Sequence, residues 1–297
     1  MKPLPSQPPL WTWIAAFGLA LTLLGVVWAA DLALRPQVMA DRLNLARLDR
    51  PSSAPLVVAL GASKTRCAMA FDGEMNARLA AAGRPARFVR ITASRAGYED
   101  LRHAFDRLDR APPAVLLLEA DLVLFEPDVY RPADQSPVSW PARVRSDLGT
   151  LLHPAPFEND ALVGGPACRP GQFGPVSAMA REEYGGAMRA RRVSTASERA
   201  PWLRRLRALQ ARGTRVILVA PPRSPDAQRM LPGRLDRQAH ALARRLSTET
   251  GLPLIEPPGL PPQAEFIDVG HMGEGGRDRF SRWLVDQLSP RLPARGQ

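Results

Sequence analysis

Residues 55–66 read Pro55-Leu56-Val57-Val58-Ala59-Leu60-Gly61-Ala62-Ser63-Lys64-Thr65-Arg66. Pro55–Gly61 is a short, unbroken apolar run. Such a run suits a strand covered on both faces, as in a parallel sheet, because a strand wetted on one face would alternate. Gly61 permits a tight turn, and Ser63 then falls at the start of the next helix. There its hydroxyl is exposed and its own N–H lies outside the helical ladder. A nucleophilic serine needs both features: access, and a donor for the oxyanion it creates. The same position also suits a plain helix N-cap. Gly-x-Ser decides nothing alone.

The rest of the chain repeats that strand-then-helix rhythm. A helix-like stretch runs to about Ala82, and Arg87–Thr92 reads as a second strand followed by a helix over Glu99–Leu108. Ala114–Leu118 is a third strand. Trp202–Arg212 is a helix closed by Gly213, a good C-terminal stop. Thr214–Ala220 is a fourth strand, Arg234–Thr250 a helix ended by Gly251, Leu252–Ile255 a short fifth strand and Gly276–Leu288 the last helix. Strands alternating with helices predict a parallel, doubly wound sheet. The rhythm fails between about 127 and 197, a stretch rich in Pro, Gly and Arg with Gly-Gly-Pro-Ala-Cys-Arg-Pro-Gly-Gln-Phe-Gly-Pro at Gly164–Pro175. A structureless loop that long is unusual, so an insertion carrying short helices is expected.

In such a sheet, sites form at the carboxyl ends of the strands. Beyond the fifth strand the chain reads Phe266-Ile267-Asp268-Val269-Gly270-His271. A serine hydroxyl needs a general base within reach, and the base needs an orienting acid. Asp268 and His271, three residues apart on one turn, can converge on one point. Of the other histidines, His103 and His240 lie in helical stretches and His153 lies in the insertion. His271 alone combines a carboxylate at fixed spacing with a place just past a strand.

An early Gly-x-Ser after the first strand, paired with a late Asp-x-x-His before the last helix, resembles the SGNH/GDSL hydrolase superfamily over about Pro55 to Leu288, the insertion left out. The Gly61-Ala62-Ser63-Lys64-Thr65-Arg66 form, with a basic residue after the serine, is most similar to membrane-anchored branches. These include proteins resembling alginate O-acetyltransferases and the D-alanyl-transfer protein of teichoic-acid modification. The resemblance implies an α/β, flavodoxin-like three-layer sandwich with a parallel sheet of about five strands. It implies Ser63 as nucleophile, His271 as general base and Asp268 as its orienter. It implies Gly97 as a backbone donor beside Ser63 in the oxyanion hole, and no metal or cofactor. The third block departs from the family: Leu116–Pro127 carries Glu119 and Asp121 where relatives have an Asn. An ionised carboxylate cannot donate, so Lys64, Arg66 or Arg95 are candidates to assist.

Trp11–Ala30 carries no charge over 20 residues, the length that crosses a bilayer's hydrocarbon core. Trp11, Trp13 and Trp28 lie near its ends, where amphipathic rings prefer the interface. A single membrane helix is expected over 11–30, after a cytoplasmic tail at 1–10 and before a linker at 31–54. The hydrolase-like domain is then expected over 55–290, outside the cytoplasm, with a tail at 291–297. A cleaved signal ending Val27-Trp28-Ala29 exports the chain equally; a buried core helix is the remaining reading. Cys67 and Cys168 are the two cysteines, and neither sits in a Cys-x-x-Cys. Once exported they could pair; otherwise they are two unrelated buried thiols.

The net charge of +11 invites a nucleic-acid reading. Lys2 and Lys64 are the only lysines, however, and the arginines spread along helices on faces that read as solvated. No nucleic-acid-binding motif accompanies them, so no nucleic-acid partner is expected. Three functions fit the residues: an acyl hydrolase or O-acyltransferase on a cell-envelope glycan, an esterase or thioesterase on small or lipidic substrates, and a non-catalytic accessory of an envelope complex. The first implies an acyl-ester or glycan substrate, the bilayer at 11–30, and a multi-pass membrane acyltransferase as partner.

Overall fold

A computed structural model describes residues 9–34, 45–93, 96–126, 168 and 178–292. The chain divides into two units, 1–43 with 133–157, and 44–132 with 158–297. Most of the insertion expected over 127–197 lies outside the described residues, as does Arg95.

In the first unit, α1 spans Leu10–Leu34. Trp11, Trp13, Ile14, Phe17 and Leu19 on it are exposed. Among the described residues no helix is long and apolar enough to cross a membrane. The expected span over 11–30 is therefore not carried by the structure and is taken up below as a proposal.

The second unit holds five parallel strands: β1 (Leu56–Gly61), β2 (Arg87–Thr92), β3 (Val115–Glu119), β4 (Arg215–Val219) and β5 (Leu254–Ile255). Their order is β2-β1-β3-β4-β5. The register pairs Gly61 with Thr92, Leu60 with Leu118, and Glu119 with Val219. The inner strands are buried along almost their whole length, β1 from Val57 onward and β3 throughout. That is why they read as continuous apolar runs rather than alternating ones.

Between β1 and β2 come α2 (Ser63–Ala68) and α3 (Asp72–Ala81); α4 (Tyr98–Leu108) follows β2. After β3 come α5 (Asp121–Leu124), α6 (Ala178–Ala190) and α7 (Ala196–Ala211). Then α8 (Pro225–Met230) and α9 (Gly233–Thr250) lead from β4 to β5, and α10 (Glu274–Leu288) closes the fold. One core packs α4, α7 and α9 on one face of the sheet; the other packs α2, α3 and α10 on the opposite face. The result is the expected three layers. The helices dock by simple periodicity: α4 buries Leu101, Ala104, Phe105 and Leu108, one stripe at helical spacing. α9 ends at Gly251, whose φ of 65° places it in the left-handed region that a glycine adopts most easily.

α7 begins at Ala196 rather than at the expected Trp202, because Thr195 caps it in a reciprocal box with Glu198. Pro201 sits inside the helix without ending it. The strand order reverses between β1 and β3, and the loops leaving those two strands flank the crevice where ligands bind in such sheets.

Candidate active site

β1 ends in Gly61 and delivers Ser63 as the first residue of α2. Gly61 is required by space. A Cβ there would collide with the Thr65 side chain and stand 2.8 Å from Glu119 Oε2. The cap residue of α2 is Ala62, which has no side-chain cap bond. Ser63 is therefore not the cap, and its hydroxyl is free to face elsewhere. It lies 2.9 Å from His271 Nε2. On the ring's other side, Nδ1 lies 2.7 Å from Asp268 Oδ2. With Nδ1–H donating to the carboxylate, Nε2 is left as the acceptor for the serine O–H.

The Asp268–His271 turn is built by its own acid. Asp268 Oδ1 accepts from the N–H groups of Gly270 and His271, each at 2.7 Å. A bridge between Phe266 and Met272 closes the loop, and buried Ser224 donates from its hydroxyl to the Val269 carbonyl at 2.6 Å. Burial alone would raise the Asp268 carboxyl. The hydrogen bond and charge of His271, with the two N–H groups, outweigh it and hold Asp268 below the ordinary value.

Glu119, at the position where the resemblance implies an Asn, has a different task. Its Oε2 accepts from Ala62 N–H at 2.7 Å, Thr65 N–H at 3.3 Å and Thr65 Oγ1 at 2.8 Å. A helix start leaves four N–H groups without helical partners. Glu119 takes those of Ala62 and Thr65, leaving those of Ser63 and Lys64 unengaged among the described residues. At the other end of α2, buried Arg90 donates to the carbonyls of Arg66, at 2.7 Å, and Met69. A cation at a helix C-terminus also suits the dipole.

Asp121 gathers three cations. Lys64 Nζ pairs with it, Arg223 Nη2 lies 2.9 Å from Oδ1, and Arg191 Nη1 lies 3.2 Å from Oδ2. Both guanidiniums also lie over the Phe125 ring, at 4.2 Å for Arg191 and 5.5 Å for Arg223. Burial would raise the Asp121 carboxyl, but Arg223, Lys64 and Arg191 hold it well below the usual range. Lys64 is lowered, mainly by burial, against the pull of Asp121. Tyr184, on α6, places its hydroxyl against Gly270, about 3.4 Å from where a Cβ would be. Burial pushes it up to about 12.

Two expected contributors differ. The Gly97 N–H donates to Asp100 Oδ2 at 2.7 Å, because Gly97 caps α4. It is thus committed to the helix and not free for an oxyanion. Arg66 is half-buried, and its Nε has no hydrogen-bond partner among the described residues. Burial lowers it, and no described contact brings its guanidinium to Ser63. Lys64 is adjacent but bound to Asp121. Cys67 and Cys168 are bonded to each other, with Cα atoms 5.4 Å apart, tying α2 to the insertion. No group of residues among those described could hold a metal ion.

Sequence reading missed Arg191, Arg223, Tyr184 and Ser224. They come from the insertion and from the loop after β4, and no local motif marks them.

No family model matches the chain, and no curated protein matches it. Among solved structures, it is similar to a protein named as an acylhydrolase from Bacteroides fragilis NCTC 9343. That match has 10% identity and a TM-score of 0.41, covering 84% of this chain and 94% of the other. A GDSL-like lipase from Bacteroides thetaiotaomicron VPI-5482 matches at 8% identity and a TM-score of 0.39, covering 85% and 97%. At that distance the likeness adds nothing to what the geometry says.

Proposed function

We propose that the chain is a serine acyl hydrolase or O-acyltransferase of SGNH type that works through an acyl-enzyme on Ser63. The observation that carries this is the hydrogen-bonded relay from Ser63 Oγ to His271 Nε2, at 2.9 Å, and from His271 Nδ1 to Asp268, at 2.7 Å. His271 takes the serine proton as Oγ attacks the ester carbonyl carbon. The carbonyl oxygen becomes an oxyanion facing the Ser63 and Lys64 N–H groups. His271 then gives its proton to the departing alkoxide. Water or a sugar hydroxyl attacks the acyl-enzyme in turn, loses its proton to His271, and frees Ser63.

The exposed apolar side chains of α1 and the uncharged run Trp11–Ala30 support an anchor at the inner membrane. The Cys67–Cys168 bond supports an oxidising, extracytoplasmic setting for the second unit. There the accessible substrates are esters on envelope polysaccharide, and in the transfer version a multi-pass membrane acyltransferase supplies the acyl group. A non-catalytic accessory role is favoured by one observation, the engagement of Gly97 N–H by Asp100. The deciding experiment treats the full-length chain with a fluorophosphonate probe. A covalent adduct in the wild type that Ser63→Ala abolishes is expected. An unlabelled wild type would favour the accessory.

A further inference from the structure

Ser63 and His271 stand on separate turns, and the hydrogen bond between them holds only if those turns keep a fixed spacing. The His271 turn is supported from within by Asp268, and from α8 by Ser224, which caps that helix and donates to the Val269 carbonyl. A third support comes from the insertion. The edge of the Tyr184 ring lies beside Gly270, with Oη, Cε2 and Cζ at 3.4, 3.5 and 3.7 Å from where a Cβ would stand. Gly185, its neighbour on α6, lies beside α8, with Met230 Sδ 3.7 Å from its own Cβ position. The Tyr184 hydroxyl is sealed from solvent and has no hydrogen-bond partner among the described residues. What the residue brings to the turn is therefore a rigid ring, not a hydrogen bond. Burial pushes its titration up to about 12, so the ring is uncharged at any ordinary pH.

The segment that carries Tyr184 is fastened on either side of it to elements next to Ser63. Before α6, Cys168 is bonded to Cys67 on α2, the helix that Ser63 begins. After α6, Val193 forms a bridge with Phe125, the Glu126 N–H donates to the Arg192 carbonyl, and the Ser194 N–H donates to the Leu124 carbonyl, each at 3.0 Å. Those partners follow β3, the neighbour of β1. One segment thus grips the nucleophile's surroundings at two points and meets the base's turn between them. We propose that Tyr184 is a positioning residue for His271: the insertion holds its ring against Gly270 and so sets the reach of the imidazole to Ser63 Oγ. Displacing a reacting group by about 1 Å can cost on the order of a hundredfold in rate, so a stiff support has a large lever. The consequence for rate rests on Ser63 being the nucleophile; the consequence for the Asp268–His271 hydrogen bond does not.

The test compares full-length wild type, Tyr184→Phe and Tyr184→Ala by two readouts. In turnover of p-nitrophenyl acetate, Tyr184→Ala should lower kcat by about tenfold to a hundredfold with KM unchanged. Tyr184→Phe, which keeps the ring, should restore kcat. Tyr184 and Asp268 act on the same imidazole, so Tyr184→Ala should slow fluorophosphonate labelling far less in an Asp268→Asn background. The second readout is the downfield proton resonance of the Nδ1–H in the Asp268–His271 hydrogen bond, assigned by its loss in His271→Ala. Tyr184→Phe should keep it in place, and Tyr184→Ala should shift or broaden it. An unmoved resonance in Tyr184→Ala overturns the proposal. So does a raised KM at unchanged kcat, an equal loss in Tyr184→Phe, or an equal cost in the Asp268→Asn background, which would mean a general loosening of the fold. A wild type that neither turns over nor labels, yet whose resonance responds as expected, would overturn the nucleophile and leave the brace standing.

Discussion

Ser63, His271 and Asp268 sit in hydrogen-bonded sequence, so substitutions there should behave as one unit. With p-nitrophenyl acetate as substrate, Ser63→Ala or His271→Ala should each lower kcat by about a millionfold, and Asp268→Asn by about ten-thousandfold. The Ser63/His271 double variant should be little worse than either single one. Near-normal turnover by His271→Ala would refute the relay. Glu119 offers a separate test. Glu119→Ala strips the acceptor from two N–H groups and a hydroxyl around the Ser63 turn. Leaving a buried donor unmet costs about 1–3 kcal/mol, so the variant should lose about 3 kcal/mol of unfolding free energy in urea. Glu119→Gln keeps an acceptor oxygen and should lose less. An unchanged midpoint for the alanine variant would show that the Glu119 hydrogen bonds add no stability. The three relay residues are legible in the sequence because each stands at a fixed offset from a strand end or from another relay member. Glu119 is legible only as a departure from a pattern. Its use as an acceptor depends on β3 lying beside β1, a pairing between residues more than fifty apart.

Among the elements, the strands are the most legible, since full burial leaves an unbroken apolar signature. Boundaries are less so: α7 starts six residues before the expected Trp202, because the Thr195–Glu198 cap outweighs the internal Pro201. The helix α6 falls in the insertion, whose Pro- and Gly-rich composition hides it. One element-level contact lends itself to measurement. The bond between Cys67 on α2 and Cys168 closes a loop of 101 residues. In the chain-entropy account a loop of that length contributes about 4–5 kcal/mol. Cys168→Ala, or reduction of the wild type, should lower the denaturation midpoint accordingly. Because Cys67 shares a helix with Ser63, it should also slow probe labelling. Equal midpoints with and without reductant would show that the tether carries no stability.

For the whole molecule, the 2-1-3-4-5 order sets Ser63 after β1 beside the carboxylates of Glu119 and Asp121 at the end of β3 and His271 after β5, all at the carboxyl edge of the sheet. Charge there sets the response to acid. Burial favours protonated Asp121, but Arg223, Lys64 and Arg191 hold its carboxyl well below the ordinary 3.8. A depressed folded-state value means stability present above the unfolded value and lost as the pH falls through the folded one. The melting temperature should therefore hold down to about pH 4 and fall below it. Asp121→Asn should be less stable at neutrality, where three cations lose their shared anion, yet show a shallower fall in acid. An equally steep fall would exonerate this cluster. The separation of 208 residues between Ser63 and His271 also sets a clock. A ribosome adding about 5–20 residues per second emits His271 about 10–40 s after Ser63. During that interval the nascent chain holds Ser63 without its hydrogen-bond partner, so the relay can form only once the His271 turn has emerged.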